Sequence, residues 1–378
     1  MLRFPRGTVE EAECGICGER SKVISKVLGV CSGCIGGRWK EAVHFVKKAH
    51  SASRARFGLP EEQPKDPLGV RCGLCVNDCR IPGGERGYCG LRENRDGKLI
   101  HLAGTPEFGL LEYYYDPLPT NCVADWVCAG CTGAGYPDYS YSEKASESGY
   151  KNLAVFYSSC IFDCLFCQNW HYRKGPRRMS PMISASQLAS QVDGKTSCIC
   201  YFGGDPASQM VHTLRTSQLA IKRANGRILR ICWETNGGMS LPFIKKAAKL
   251  SMDSGGCIKF DLKAWDENLH IALTGATNKR TLENFQWLAK YGEQRREPPF
   301  LVASTLLVPG YIDSTEVEKI AQFISALDPE IPYSLLAFSP EYLMEDMPLL
   351  SREQVDDCYS AAKDYLENVK IGNAHLLA

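Results

Sequence analysis

Long apolar runs are missing from this 378-residue chain, and none reaches the roughly 20 residues that a membrane-spanning helix needs. The N-terminus, MLRFPRGTVEEAE, lacks the hydrophobic stretch of a signal peptide, so the expected location is cytoplasmic. Net charge is nearly absent as well: 44 Lys and Arg face 43 Asp and Glu, a formal +1. That gives no whole-protein electrostatic case for nucleic acid. The balance is uneven, however, because residues 1–60 hold 11 basic against 5 acidic side chains. A solvated helix face accounts for this surplus as well as a partner does.

Cysteine is what the chain has in excess. Nineteen are more than core filling needs, and in a reducing compartment clustered Cys-x2-Cys pairs point to metals before disulfides. Cys14, Cys17, Cys31 and Cys34 form two such pairs, the pattern of a zinc-ribbon or rubredoxin-like knuckle over residues 1–36 holding zinc or a single iron. A basic amphipathic helix with Trp39, Val43 and Val46, then a linker EEQPKDP, occupy 37–66. Residues 67–145 are a cysteine-rich segment. Cys72, Cys75, Cys79 and Cys89 suit an auxiliary [4Fe-4S] cluster or a zinc, and Cys122, Cys128 and Cys131 form a third group that lacks a fourth ligand nearby. Cys198, Cys200, Cys232, Cys257 and Cys358 remain; they read as buried strand residues, one of which could complete the Cys122 group. The aromatic, glycine-rich stretch Tyr113 to Tyr141 reads as an ordered loop covering a site.

From residue 146 the pattern becomes strand and helix in alternation. Apolar, β-branched or aromatic runs at 152–157, 198–202, 229–233, 257–261, 300–307 and 333–338 are separated by helical periodicity near 184–192, 211–224, 241–252, 280–291 and 314–327. The expected fold is α/β: six parallel strands with crossover helices in a partial (β/α)6 barrel, its chemistry at the carboxyl ends of the strands.

The first of these strands runs directly into CIFDCLFCQNW, where Cys160, Cys164 and Cys167 stand in the spacing Cys-x3-Cys-x2-Cys. Three thiolates on one loop can hold three irons of a [4Fe-4S] cubane and leave the fourth open, which chemistry at iron requires. The loop, with an aromatic Phe166 before its last cysteine, resembles the signature of the radical S-adenosylmethionine (SAM) superfamily. Further segments at strand ends match in order: Gly203-Gly204-Asp205-Pro206, then Glu234-Thr235-Asn236-Gly237, then Asp261-Leu262-Lys263. They are similar to those of pyruvate formate-lyase-activating enzymes and of the AmmeMemoRadiSam branch. The likeness continues through Asp266, His270, Thr274, Gly275, Asn278 and Leu282, through Pro309, Gly310 and Asp313, and into AFSPEYLMEDMP, covering roughly Arg71 to the C-terminus.

The resemblance implies an oxidoreductase that binds a [4Fe-4S] cluster through Cys160, Cys164 and Cys167 and SAM at the open iron. Reductive cleavage of SAM to a 5′-deoxyadenosyl radical and hydrogen abstraction from a substrate follow from it, under anaerobic conditions and with a low-potential donor such as ferredoxin or flavodoxin. Phe166 would contact adenine, and Gly203, Gly204, Asp205 and Thr235 would hold SAM. Glu234, Asp261 and Lys263 would complete its carboxylate or cation end. His270 reads as a capping histidine and is left out of the site. The substrate stays open: a protein, as in glycyl-radical activation, or a small metabolite, lipid or RNA. No ferredoxin-like insertion lies between Cys167 and Gly203, and no Asp-x-His-x-x-Gly cobalamin segment is present. The non-enzyme alternative is a multi-cluster electron carrier, which has no need of GGDP, ETNG and DLK.

Overall fold

The computed structural model describes residues 9–120 and 122–377. Residues 1–8, the start of the expected first module and most of the segment read for a signal peptide, lie outside the described residues, as do Asn121 and Ala378. Among the described residues no helix is long and apolar enough to cross a membrane.

A nine-stranded sheet carries the molecule. Its strands are β1 (Gly109–Pro117), β2 (Lys151–Tyr157), β3 (Met182–Ile183), β4 (Thr196–Gly203), β5 (Arg230–Thr235), β6 (Ile258–Asp261), β7 (Leu301–Leu307), β8 (Tyr333–Ala337) and β9 (Val369–Gly372), in spatial order β9-β8-β7-β6-β5-β4-β2-β1-β3. The six expected strands are β2 and β4 to β8, all parallel. Two features extend that expectation. At one edge β9 adds a seventh parallel strand, Val369 opposite Tyr333. At the other, β1 runs antiparallel to β2, with Leu111 opposite Tyr157. The expected loop from Tyr113 is therefore corrected: Tyr113 to Pro117 are sheet, because consecutive tyrosines suit a pleated surface and β2 supplies their ladder partners. Residues 118–120 and 122–147 hold no strand and one short helix, Ala129–Thr132, and otherwise form the expected loop, a plug that faces the inner side of the sheet. Glu147, buried, anchors it by accepting two 2.7 Å hydrogen bonds from the Arg230 guanidinium at the start of β5.

Helices cover the outer face. The main ones are α1 (Trp39–Ala55), α2 (Met210–Ala224), α3 (Leu241–Ser254), α4 (Glu267–Thr274), α5 (Lys279–Gly292), α6 (Ser314–Ser325) and α7 (Arg352–Lys363). Strand alternation turns Tyr157, Tyr201 and Trp233 outward, where their polar tips bond His212, Ser217 and Ser251 of α2 and α3. Asp266 and Asp313, both in the family-like pattern, serve as N-caps of α4 and α6, accepting from Leu269 and Glu316 amides at 2.8 and 3.0 Å.

The N-terminal elements join this body. A hairpin, Ala12–Glu13 against Arg20–Ser21, and a short helix, Ser32–Gly37, build the knuckle. It sits on the loop after β7: the Tyr311 hydroxyl accepts from the Ser25 amide and donates to the Val30 carbonyl, both at 3.0 Å. Gly310 has no room for a side chain there, since a Cβ would run into Val23.

Candidate active site

The loop after β2 is fixed on every side before any ligand is considered. Its Asp163 amide donates to the Thr274 carbonyl at 2.7 Å and its Leu165 amide to the Leu273 carbonyl at 3.0 Å, both at the end of α4. Asn77 donates to the Ile161 carbonyl at 2.6 Å and Tyr172 to the Phe162 carbonyl at 3.1 Å. The Asp163 carboxylate, fully buried, meets His50 at 3.0 Å, Ser53 at 3.0 Å and Arg173 at 2.9 Å. Burial works against that charge, but His50, Arg173 and Arg54 outweigh it and hold its pKa below the usual carboxylate range. Of the basic side chains before residue 60, Arg54 thus has a structural use: α1 turns it inward together with His50 and Ser53.

With the backbone so held, Cys160 and Cys164 are buried and Cys167 is half-buried. The Cys160 sulfur receives the Phe162 amide at 3.3 Å and the Asn236 side-chain amide at 3.6 Å, donors of the kind that stabilise a thiolate-bound cluster. Phe166 is buried in the same loop, with the Lys263 ammonium 5.8 Å from its ring centroid. Lys263 pairs with Asp261 at 2.8 Å, and Asp261 accepts from Ser304 of β7 at 2.8 Å. Burial opposes the ammonium, yet Asp261 and the thiols of Cys164 and Cys167 raise its pKa above the ordinary lysine value.

The glycine pair after β4 serves the cluster loop directly. Gly203, at φ +107°, would place a Cβ 2.7 Å from the Tyr157 nitrogen, and a Cβ on Gly204 would overlap the Ser159 carbonyl. The Gly204 and Asp205 amides instead donate to Tyr157 and Ser159 at 2.8 and 2.9 Å. Asp205 is buried, and its carboxylate accepts from Ala207 and Asn236 amides at 2.6 and 2.7 Å and from the Thr235 hydroxyl at 3.1 Å. Burial pushes it up to about 7 although these donors pull the other way. Glu234 and Thr235 diverge, as neighbours on a strand must: Thr235 turns to Asp205, and Glu234 faces the Lys259 ammonium at 3.0 Å inside the barrel. His270 is fully buried with Nδ1 on the Ala276 carbonyl at 2.6 Å, a structural position.

The three other thiol groups differ in geometry. Cys14, Cys17, Cys31 and Cys34 bring their sulfurs within 4.8 Å of one another, and Cys17 and Cys31 stand 3.8 Å apart. A tetrahedral site with bonds of about 2.3 Å has ligand spacings of that size. Among the described residues this is the one set gathered so tightly. Cys72, Cys75 and Cys79 lie in the turn of the hairpin Val70–Arg71 with Arg80–Ile81, and Cys89 lies between it and the hairpin Arg92–Arg95 with Lys98–His101. They abut the cluster loop, where Ser159 donates to the Cys89 carbonyl at 2.9 Å. Burial, reinforced by the charges of Cys89 and Cys72, pushes Cys79 up to about 12. Cys122, Cys128 and Cys131 lie on the plug, Cys131 donating its amide to the Cys128 carbonyl at 3.2 Å.

Residues 154–324 match the family model described as the Radical SAM superfamily. The chain carries a radical SAM domain over that stretch. Its relatives include a Methanocaldococcus jannaschii protein named as a candidate glycyl-radical enzyme activating enzyme, 37% identical over 126 residues, covering 32% of this chain and 45% of the relative. An uncharacterized protein of the same archaeon is 26% identical over 328 residues, covering 82% of each. The isethionate sulfite-lyase activating enzyme of Desulfovibrio desulfuricans is 30% identical over 182 residues, 45% of this chain and 54% of that one. The chain therefore spans about half the length of the two relatives named as activating enzymes. A radical SAM domain implies a [4Fe-4S] cluster and SAM, and the residues present suit them: three cysteines on one hydrogen-bonded loop, N–H donors on the Cys160 sulfur and a buried ammonium whose charge is felt by Cys164 and Cys167.

Proposed function

We propose that this protein is an activating-enzyme-like radical SAM enzyme, with Cys160, Cys164 and Cys167 holding the cluster. Bound there, cluster and SAM would supply reductive cleavage to a 5′-deoxyadenosyl radical able to take hydrogen from a carbon centre. The chain's part is orientation and charge. Phe166 offers a flat apolar face for adenine, and Lys263 with Asp261 offers a paired cation and carboxylate to the methionine end. Asp205 acts on Thr235 and Asn236, fixing the hydroxyl and the Cys160 donor, while Gly203 and Gly204 keep that turn against the cluster loop. The observation that carries the reading is Lys263: its ammonium lies between Asp261 at 2.8 Å and the Phe166 ring at 5.8 Å, joining the end of β6 to the cluster loop.

A protein substrate is the reading favoured by the names of two relatives. A cleft of about 250 Å³ beside Gln168 and Glu234, reaching Lys370 of β9, has room for a short extended segment. A low-potential ferredoxin or flavodoxin would deliver the electron. The cytoplasmic expectation belongs with this chemistry, since the cluster needs a reducing compartment.

The test is 5′-deoxyadenosine release from SAM by anaerobically reconstituted protein with dithionite, beside the Cys160→Ala, Cys164→Ala, Cys167→Ala variant. Release by the wild type alone supports the reading. Failure to bind SAM with an intact cluster would move it to electron transfer. Deuterium carried from a labelled candidate protein into the nucleoside would then identify the substrate.

A further inference from the structure

Six cysteines from distant parts of the chain meet inside the barrel around a cavity of about 80 Å³: Cys122 and Cys128 of the plug, and Cys198, Cys200, Cys232 and Cys257 of the strands. Sheet register arranges them. Cys200 stands opposite Cys232 across β4 and β5, and Trp233 stands opposite Ile258 across β5 and β6, which brings Cys257 beside Cys232. The Trp233 amide donates to the Cys257 carbonyl at 3.1 Å. Since Tyr201 and Trp233 turn out to the helices, Cys200 and Cys232 turn inward. A row of three thiols thus crosses three adjacent strands, facing the plug, and all are free of disulfides.

Packing alone explains one buried thiol, which behaves as a small apolar group. It does not explain the charge set among these. The Lys259 ammonium, 3% exposed, stands 3.2 Å from the Cys200 sulfur, 3.5 Å from the Cys122 sulfur and 3.0 Å from Glu234. An ammonium taken out of water is costly unless anions surround it, and neutral thiols are poor partners. The cavity between plug and strands is large enough for several waters, yet cysteine, a soft metal ligand, is the most frequent residue in its wall.

We propose that the barrel interior is a second iron–sulfur site, with Cys122 and Cys128 of the plug and Cys232 and Cys257 of the strands as thiolate ligands. Lys259 offsets part of the resulting negative charge, with Cys200 turned to its ammonium. A closed single-ion site does not fit, because these sulfurs are not gathered within 4.8 Å of one another as those of the knuckle are. Ligands to a multi-iron cluster bind different irons and stand wider apart. Asp261 lies four positions beyond Cys257, which sets this site about 13 Å below the rim at some 3.3 Å per residue. The Lys259–Glu234 pair lies between the two levels.

The site is independent of the cluster at Cys160 and is tested without it. The full chain carrying Cys160→Ala, Cys164→Ala and Cys167→Ala is reconstituted anaerobically, with and without Cys232→Ala and Cys257→Ala. Iron, acid-labile sulfide and the electron paramagnetic resonance of the dithionite-reduced protein are measured. Loss of one cluster's iron and sulfide in the strand variant is expected, with Cys198→Ala as a cavity-lining control that keeps both. Metal retained by the Cys14 quartet and a cooperative thermal transition confirm folding. If the strand variant does not fold, Cys122→Ala with Cys128→Ala reads the same loss from the loop side. Lys259→Met should keep the iron and lower the reduction potential, since a buried positive charge is removed. Unchanged iron and sulfide in a folded double variant would overturn the proposal.

Discussion

Asp163, lying between the first two cysteines of the cluster loop, holds the His50 ring of α1 at 3.0 Å in a site closed to solvent. Arg173 meets the same carboxylate at 2.9 Å, also fully buried. Removing the carboxylate while leaving the guanidinium buried is the costly way to break such a network. Asp163→Asn should therefore destabilise the protein by about 3–5 kcal/mol. It should also lower cluster occupancy at Cys160, Cys164 and Cys167, although Asp163 touches no ligand. Chemical denaturation together with iron content checks both; a stable variant with full iron would show that the loop holds its shape without this anchor.

The Gly204 position gives a second prediction. A methyl there overlaps the Ser159 carbonyl, so Gly204→Ala must push the turn after β4 away from the cluster loop. Backbone cannot yield as a side-chain tip can, and the cost should exceed the roughly 1–3 kcal/mol of ordinary overpacking. Reduced SAM affinity should accompany it, because Asp205 and Thr235 move with the turn. Equilibrium dialysis with labelled SAM measures this, and wild-type affinity would refute the coupling.

These relationships divide cleanly by how far apart their partners lie. The thiol spacings of Cys160, Cys164 and Cys167, and of the knuckle, are local and legible, as is the pairing of Asp261 with Lys263 two residues on. The alternation of apolar runs gave the six inner strands because each is buried on both faces. Asp163 and His50 are 113 positions apart, and nothing in either neighbourhood marks the other. Glu112 to Asp116 shows no two-residue alternation, so β1 emerges only through its pairing with β2. β9 is four half-buried residues without an apolar run. The strand cysteines read singly as packing residues; their row becomes visible only when the register of β4, β5 and β6 is known.

Metal at the knuckle should stabilise more than the knuckle. Residues 23–30 pack on Gly310 and Tyr311, so loosening the quartet frees the loop after β7 as well. Cys14→Ser, or a strong chelator, should lower the thermal midpoint of the whole chain and remove one metal ion per chain, because structural metal binding contributes directly to folding. Calorimetry with elemental analysis tests this. A second, separate transition for the N-terminal part with an unmoved main one would show that the modules unfold independently.

Two buried histidines set the response to acid. His212 is neutral in the fold, its Nε2–H donating to the Ile183 carbonyl at 2.9 Å and its Nδ1 accepting from the Tyr157 hydroxyl at 2.8 Å. Burial lowers both His212 and His270 to about 4. Below about 6.5 the unfolded chain takes up protons that the folded one refuses until about 4, so stability falls as pH drops through that window. Each imidazole contributes on the order of 3 kcal/mol to the fall. Asp205, pushed up to about 7, works in the opposite sense: folded, it keeps a proton that the unfolded chain has lost above about 4, so it offsets one of the two. One net proton should then be taken up on unfolding near pH 5. His212→Gln keeps a donor and an acceptor but cannot titrate, and it should flatten the profile between pH 7 and 5. Denaturation midpoints of wild type and variant across that range decide the matter: parallel curves would mean that His212 is not a source of the slope.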